Sequence, residues 1–417
     1  MKMKKIFTFL FICMFFFMSS SLRSQPFAYG ADVSWVTEME EAGKKFFSSD
    51  GSEMECMTLL KSLGINSIRL RVWVNPPDGW CNAQDVLTKA IRANNLGLRL
   101  MIDFHYSDTW ADPGKQTKPV AWSSLSFEDL KTALANHTIE VLTLLKDNDI
   151  TPEWVQIGNE TGDGMLWEDG RASKNMKNYA ELTTTGYNAV KSVFPTTKVI
   201  VHLQNGYDNN LYQWIFDGLK NNGGKWDVIG MSVYPYWYKT KNDWQNCNID
   251  CLNNMNDLVN RYGKEIMAVE CGMDWYQPEI CKNFLSDLIT KTKSVSNGKG
   301  LGVFYWEPEC YNNWNGYTMG AFDNSGRPTV ALDAFKEAAA SVISPKNKPK
   351  WIFKPNTHTL LFENKQERIS IFQMNGRLVN SFFATNTISL NDLQNGIYIV
   401  KAVSYKNEKP EIFKLVK

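Results

Sequence analysis

Between Phe27 and Ala340, short apolar runs rich in β-branched residues alternate with longer stretches in which apolar positions recur every three or four residues. The first pattern is that of a buried strand, the second that of a helix with one apolar face. Strands are predicted at Tyr29–Val33, Ser67–Val72, Arg99–His105, Trp154–Gly158, Lys198–Leu203, Val228–Tyr234, Ile266–Glu270 and Gly302–Trp306. Helical patterns lie between them, as at Ser52–Leu63, Ala83–Ala93, Phe127–Lys146 and Tyr179–Val193. Strand starts fall roughly 30–55 residues apart, room each time for a strand, a loop and a crossover helix. Eight such units predict an α/β fold, a (β/α)₈ TIM barrel. A doubly wound open sheet is the competitor, but no Gly-rich phosphate loop follows an early strand.

The pattern changes after Ala340. Segment 344–350, polar and proline-bearing, reads as a linker. From Trp351 the apolar runs shorten and alternate: Ile369–Phe372 and Leu378–Val379 flank the hairpin signal Asn375-Gly376, and Ile397–Val400 follows Asn395-Gly396. A small all-β domain, a β-sandwich, is expected over 351–417. At the other end, three lysines in the first five residues precede an apolar run from Ile6 to Met18 and a serine-rich stretch. That is a signal peptide over 1–24, its apolar run too short to span a bilayer. The barrel is therefore placed at 25–343, in a chain that is secreted, surface-attached or periplasmic, with no membrane span after processing and expected to be a monomer.

Composition changes this picture in three places. A net charge of +1 gives no basic surface for nucleic acid. Most of the 15 Trp and 16 Tyr are read as filling a large core, with the alternative that some line a cleft that stacks on the apolar faces of sugar rings. Export permits disulfides among Cys56, Cys81, Cys247, Cys251, Cys271, Cys281 and Cys310, and Cys247 and Cys251 are spaced to close a small loop. Zinc lacks support: no second cysteine pair or nearby histidine accompanies them, and the chain has 4 histidines in all. No cofactor or metal is expected.

The candidate chemistry sits at strand ends. Hydrolysis of a glycosidic bond uses two carboxyl groups, one to protonate the leaving oxygen and one to attack or to activate water. In a barrel of this type, such groups stand at the C-terminal ends of strands. Glu160 lies just past the fourth strand, after Asn159, and Glu270 closes the seventh. One glutamate at a strand end means little; a pair on the fourth and seventh of eight is a stronger signal. By alternation Arg69, Arg71 and Trp73 share a face, as do Asp103 and His105. Arg69 and Asp103 read equally as a buried ion pair bracing the barrel or, for one of the two arginines, as the cation that keeps Glu270 ionised. His105, Trp306 and His202 end or nearly end their strands and are candidates for sugar contact, while Tyr234 ends the sixth strand within expected reach of a hydrogen bond to Glu270.

These residues carry a resemblance. Gly30–Trp35, Arg69–Pro76, Asp103–Pro113, Gly158–Glu160, Gly164–Trp167 and Gly302–Pro308 are similar to glycoside hydrolase family 53, the (arabino)galactan endo-β-1,4-galactanases, over about residues 28–338. The resemblance implies a retaining mechanism with Glu160 as acid/base and Glu270 as nucleophile, and Asn159 holding the sugar 2-hydroxyl. It also implies that Arg69, His105, Tyr234 and Trp306, with Trp110 and His202, contact substrate, an internal stretch of the β-1,4-galactan side chains of pectin. A mannan, xylan or glucan hydrolase, or an inactive glycan-binding barrel, remain the alternatives. Thr161–Gly164 depart from the family's apolar pattern after the acid/base. Some relatives bind calcium in a long loop after the seventh strand; the short interval here predicts none. Ile371–Val379, Leu393–Val400 and Phe413–Lys417 resemble the sorting domain of type IX secretion systems.

Overall fold

The computed structural model describes residues 26–343, 351–354, 357–373, 376–405 and 411–417. The predicted signal peptide and the predicted linker lie outside the described residues. The chain divides into two compact units, one ending at Leu332 and one beginning at Asp333.

The first unit is a closed barrel of eight parallel strands in sequence order. They are β1 (Ala28–Asp32), β2 (Ser67–Val72), β3 (Arg99–Phe104), β4 (Trp154–Ile157), β5 (Lys198–Leu203), β6 (Val228–Val233), β7 (Glu265–Cys271) and β8 (Gly300–Trp306). The ring closes where β1 pairs with both β2 and β8. The helices are α1 (Val36–Glu41), α2 (Cys56–Ser62), α3 (Ala83–Asn95), α4 (Phe127–Lys146), α5 (Met176–Val193), α6 (Asn209–Asn221), α7 (Trp244–Tyr262) and α8 (Pro278–Lys293), with α9 (Asp333–Ile343) opening the second unit. Side-chain caps set several of their ends. Asn175 accepts from the Asn178 N–H, so α5 begins three residues before the apolar pattern. Glu55 accepts from the Met57 and Thr58 N–H groups, so α2 begins only at Cys56 and not at Ser52. The residues before it turn back in a bridge between Phe47 and Glu53.

The barrel interior changes character along its axis. Its N-terminal end is filled by Ala28, Met101, Trp154, Ile200, Val228, Met267 and Phe304. Gly30 leaves space for the Phe304 ring, whose nearest atom would stand 2.1 Å from a Cβ at that position. One layer towards the C-terminal end, Asp32, Arg69, Asp103, Gln156, His202 and Ser232 replace the hydrophobes, all of them buried. An apolar plug thus closes one end and a polar, ionisable layer faces the other.

In the second unit β9 (Trp351–Lys354), β10 (Thr359–Gln373), β11 (Leu378–Ser389), β12 (Ile397–Ser404) and β13 (Glu411–Val416) form one five-stranded antiparallel sheet, where two facing sheets were expected. The reason lies in β10. A register shift between Leu361 and Gln366 divides it, its first half pairing with β9 and its second with β12. The sheet buries one face on itself, around Leu360, Ile369, Ile371, Ile388, Val400 and Leu415. β10 and β11 pair on either side of the predicted Asn375-Gly376 turn, of which Asn375 lies outside the described residues.

All seven cysteines of the described chain are buried free thiols. Cys247 and Cys251 lie one turn apart on α7 and close no loop.

Candidate active site

Glu160 follows β4 through Gly158 and Asn159. Both Gly158 (φ 80°) and Glu160 (φ 46°) adopt left-handed backbone, uncommon for a glutamate and a mark of a position held by its surroundings. What holds it is Thr161, fully buried, whose N–H donates to the His202 carbonyl at 2.9 Å and whose hydroxyl meets Tyr179 Oη at 2.7 Å. Gly162 packs on Gln204, whose side chain would stand 2.3 Å from a Cβ there. The segment that departs from the family pattern therefore buttresses Glu160 from behind and does not line the cavity.

Glu270 reaches the interior by another device. Met267 and Val269 point into the barrel core, so simple alternation would turn Glu270 outward. The register skips Val269, however: Met231 pairs with Ala268 and Ser232 with Glu270. This bulge returns Glu270 to the inner face.

The two carboxyls meet there. An oxygen of Glu160 and one of Glu270 lie within 4.8 Å of each other. Ser232 stands between them, its Oγ 2.6 Å from Glu160 Oε1 and 3.4 Å from Glu270 Oε2. A hydroxyl has one proton, and the shorter contact assigns it to Glu160. His202 Nε2, 2.8 Å from Ser232 Oγ, is then the donor to that oxygen. Tyr234 Oη donates to Glu270 Oε2 at 3.4 Å.

Beneath them lies Arg69, with no exposed surface. Its guanidinium contacts Asp32, Asp103 and Glu270, each at 2.8 Å. It also donates to Asn159 Oδ1 at 3.0 Å and Gln156 Oε1 at 3.1 Å. Asn159 is thereby oriented: its amide nitrogen donates to the Ala111 carbonyl at 2.8 Å. His105 accepts at Nδ1 from the Ala111 N–H (3.2 Å) and the Trp73 indole (3.4 Å), which leaves the Nε2 proton for Asp103 at 3.1 Å. That is the neutral imidazole, and burial holds the His105 pKa below its ordinary value in agreement.

Burial raises both carboxyls, and their different partners divide the roles between them. Burial raises Glu160 to about 7, against the Ser232 hydrogen bond and the more distant Arg69. Burial also raises Glu270, to about 8, with Arg69 opposing and the neighbouring Glu160 adding to the rise. Arg69 lowers Glu270 only partly because its charge is divided among three carboxylates. The two groups share protons as a unit. In the singly protonated form the direct ion pair to Arg69 and the Tyr234 hydroxyl hold the negative charge on Glu270, and the proton stays on Glu160. The set Glu160–His202–Glu270 has donor types that suit a metal, but the guanidinium already occupies the inner oxygen of Glu270 and Ser232 engages His202.

A cavity of about 620 Å³ opens above the pair, walled by His105, Trp110, Asn159, Tyr234 and Trp306, and also by Gln204, Asn205, Tyr207, Trp237 and Tyr317. A second, also about 620 Å³, shares Trp110, Trp306 and Tyr317 with it and continues past Trp35, Trp73 and Trp80. Arg71 lies behind their common wall, 4.1 Å from the Trp110 ring centre and 4.8 Å from that of Trp73, and pairs with Glu307 at 3.0 Å.

Of the predicted residues, seven therefore reach the cavity: Glu160, Glu270, Asn159, His105, Tyr234, Trp306 and Trp110. Arg69 and His202, expected to contact substrate, do not; both are fully buried in the layer below. Ser232 was not predicted, although it precedes Tyr234 by two positions and so shares its face. Tyr207, Trp237 and Tyr317 come from loops, where no periodicity marks them.

An eight-stranded barrel with paired carboxyls at the ends of β4 and β7, beneath an aromatic cleft, defines a glycoside hydrolase. The model for glycosyl hydrolase family 53 matches residues 28–282 and 276–335, and the chain belongs to that family. An arabinogalactan endo-β-1,4-galactanase of Humicola insolens is 35% identical over 332 residues, 73% of this chain and 98% of the relative. One from Thermothelomyces thermophilus is 32% identical over 337 residues, 74% and 98%. A solved fungal β-1,4-galactanase superposes with a TM-score of 0.69 at 31% identity, covering 75% of this chain and 99% of that one. Residues 355–416 match a secretion system C-terminal sorting domain, which marks the chain for export to the cell surface or medium. No helix among the described residues is long and apolar enough to cross a membrane.

Proposed function

We propose that the protein is an endo-acting, retaining galactanase that cuts internal β-1,4-galactosidic bonds of galactan and arabinogalactan as a monomer. The observation that carries the mechanism is the asymmetric carboxyl pair: oxygens within 4.8 Å, one carboxyl ion-paired to Arg69 and the other not. Double displacement uses carboxyls about 5–5.5 Å apart, whereas inversion leaves about 6.5–9.5 Å for a water. Glu270 attacks the anomeric carbon while Glu160 protonates the departing oxygen. Glu160 then takes a proton from water, which releases the glycosyl-enzyme. Asn159 binds the 2-hydroxyl, and Trp306 and Trp110 stack on sugar faces. Arg69 and His202 position Glu270 and Glu160 without touching substrate. The two contiguous aromatic cavities hold a chain of several rings across the pair, which supports internal cleavage.

A panel of purified galactan, mannan, xylan and glucan, read by reducing-sugar release and by the first-formed anomer, tests this reading. Galactan should be cut to oligosaccharides with β products; activity confined to another glycan, or α products, would overturn it. The pH profile is a second prediction. The active form carries one proton, so kcat should fall at low pH as Glu270 is protonated and at high pH as Glu160 is ionised. With both groups raised by burial, to about 7 and about 8, the maximum should lie at neutral to mildly alkaline pH. A plateau extending down to pH 4 would show that the pair is not coupled as described.

A further inference from the structure

A third cavity lies at the opposite end of the barrel from the carboxyl pair, where Lys225 and Trp226 lead into β6 and Lys264 leads into β7. Its volume is about 300 Å³, and α5, α6 and α7 supply the rest of its wall, Tyr187, Lys220, Arg261 and Tyr262. The charged groups lining it are all cations. Arg261 is paired with Asp257 at 2.9 Å. Among the described residues no carboxylate pairs with Lys220, Lys225 or Lys264; Lys225 has only Asn188 Oδ1, at 3.4 Å. Carboxylates near the rim are already engaged, Asp217 by the Tyr262 hydroxyl at 2.8 Å and Asp227 by Lys191 at 2.7 Å.

The remainder of the wall is aromatic. The Lys225 ammonium lies 5.9 Å from the Tyr187 ring centre and that of Lys264 5.7 Å from Trp226. Trp226 is buried, and its indole N–H has no acceptor among the described residues. Basic residues in the last turn of a helix are often explained by the helix dipole, and Lys220 and Arg261 fit that account. Lys225 and Lys264 lie in loops, and the dipole accounts neither for them nor for the cavity. On a chain of net charge +1 this grouping is local and not a consequence of an overall basic surface.

We propose that this cavity is a second carbohydrate site, for a pyranose ring bearing a carboxylate, the unit of a polyuronate. The aromatic walls receive the ring and the unpaired ammonium groups receive its carboxylate. Such a site holds the enzyme on an acidic glycan while the cleft on the other face works on a neutral one. The binding stands independently of the reading of the catalytic cavity.

Affinity electrophoresis of the full chain in gels containing polygalacturonate tests it. Migration should be retarded, less so as salt rises. Lys225→Glu/Lys264→Glu should weaken the apparent affinity about tenfold or more, with galactan hydrolysis unchanged. Lys174→Glu/Lys177→Glu, two exposed lysines elsewhere, alters net charge equally and should leave the retardation in place. Absence of retardation, an equal loss in the control pair, or equal retardation by dextran sulfate with the same response to both pairs, would each overturn the proposal.

Discussion

Glu160→Ala should slow hydrolysis of galactan by about 10²–10⁴-fold, the range that general acid–base catalysis supplies. The loss should depend on the leaving group. A galactan oxygen departs poorly unless protonated, so the natural substrate bears the full effect. An aryl β-galactobioside whose phenol leaves unaided needs no proton, and its first step should remain close to that of the parent enzyme. The second step still lacks its base, so a glycosyl-enzyme on Glu270 should accumulate as a burst of phenol. Azide, small and anionic, should enter the vacated space, restore turnover and give a β-galactosyl azide. Glu160→Gln keeps a hydrogen-bonding partner for Ser232, which lies 2.6 Å from the carboxyl, and should show the same dependence on leaving group. Equal losses on both substrates would point to damaged folding or binding; an unchanged rate on galactan would remove Glu160 from the chemistry.

How far this site could be read from the chain differs from residue to residue. The strands were legible because their apolar runs have no competing interpretation: β2 and β5 have the predicted bounds, and the others differ by one or two residues at one or both ends. Glu160 was legible because a carboxylate replaces the expected turn residue after an apolar strand. Glu270 was found at the right strand end, but alternation gives it the wrong face, and only the skipped register at Val269 turns it inward. A bulge is a matter of pairing with neighbours, and no local pattern encodes it. Arg69 was read correctly as a buried brace beside Glu270, but the substrate contact that the resemblance implied for it, and for His202, places both at the wrong depth. Period-two alternation reports the face of a strand, not the distance from its end to solvent. The curl of the small C-terminal sheet escaped for the same reason: the shift within β10 arises from which partner it meets on each half.

Arg69→Met should produce the largest effect away from the cavity surface. The guanidinium has no exposed surface and faces three carboxylates at 2.8 Å. Methionine fills much of the volume but leaves Asp32, Asp103 and Glu270 clustered without a cation. Removing one partner from a buried ionic group costs about 3–5 kcal/mol, which in a unit of this size should lower Tm by several degrees or more. The kinetic consequence is separate and has a direction. Arg69 is the largest influence lowering the Glu270 pKa, so its loss moves that pKa further up. A carboxyl raised in this way is ionised only at higher pH, so the acid limb of the rate profile should shift to higher pH and kcat at pH 7 should fall. Arg69→Lys retains the charge but not the fork that reaches several carboxylates, and should recover part of the stability and less of the rate. Thermal denaturation and pH–rate profiles of both variants separate the two effects. A methionine variant that melts within a degree of the parent enzyme, or loses stability with no shift in the acid limb, would show that Arg69 braces the barrel without setting the charge of Glu270.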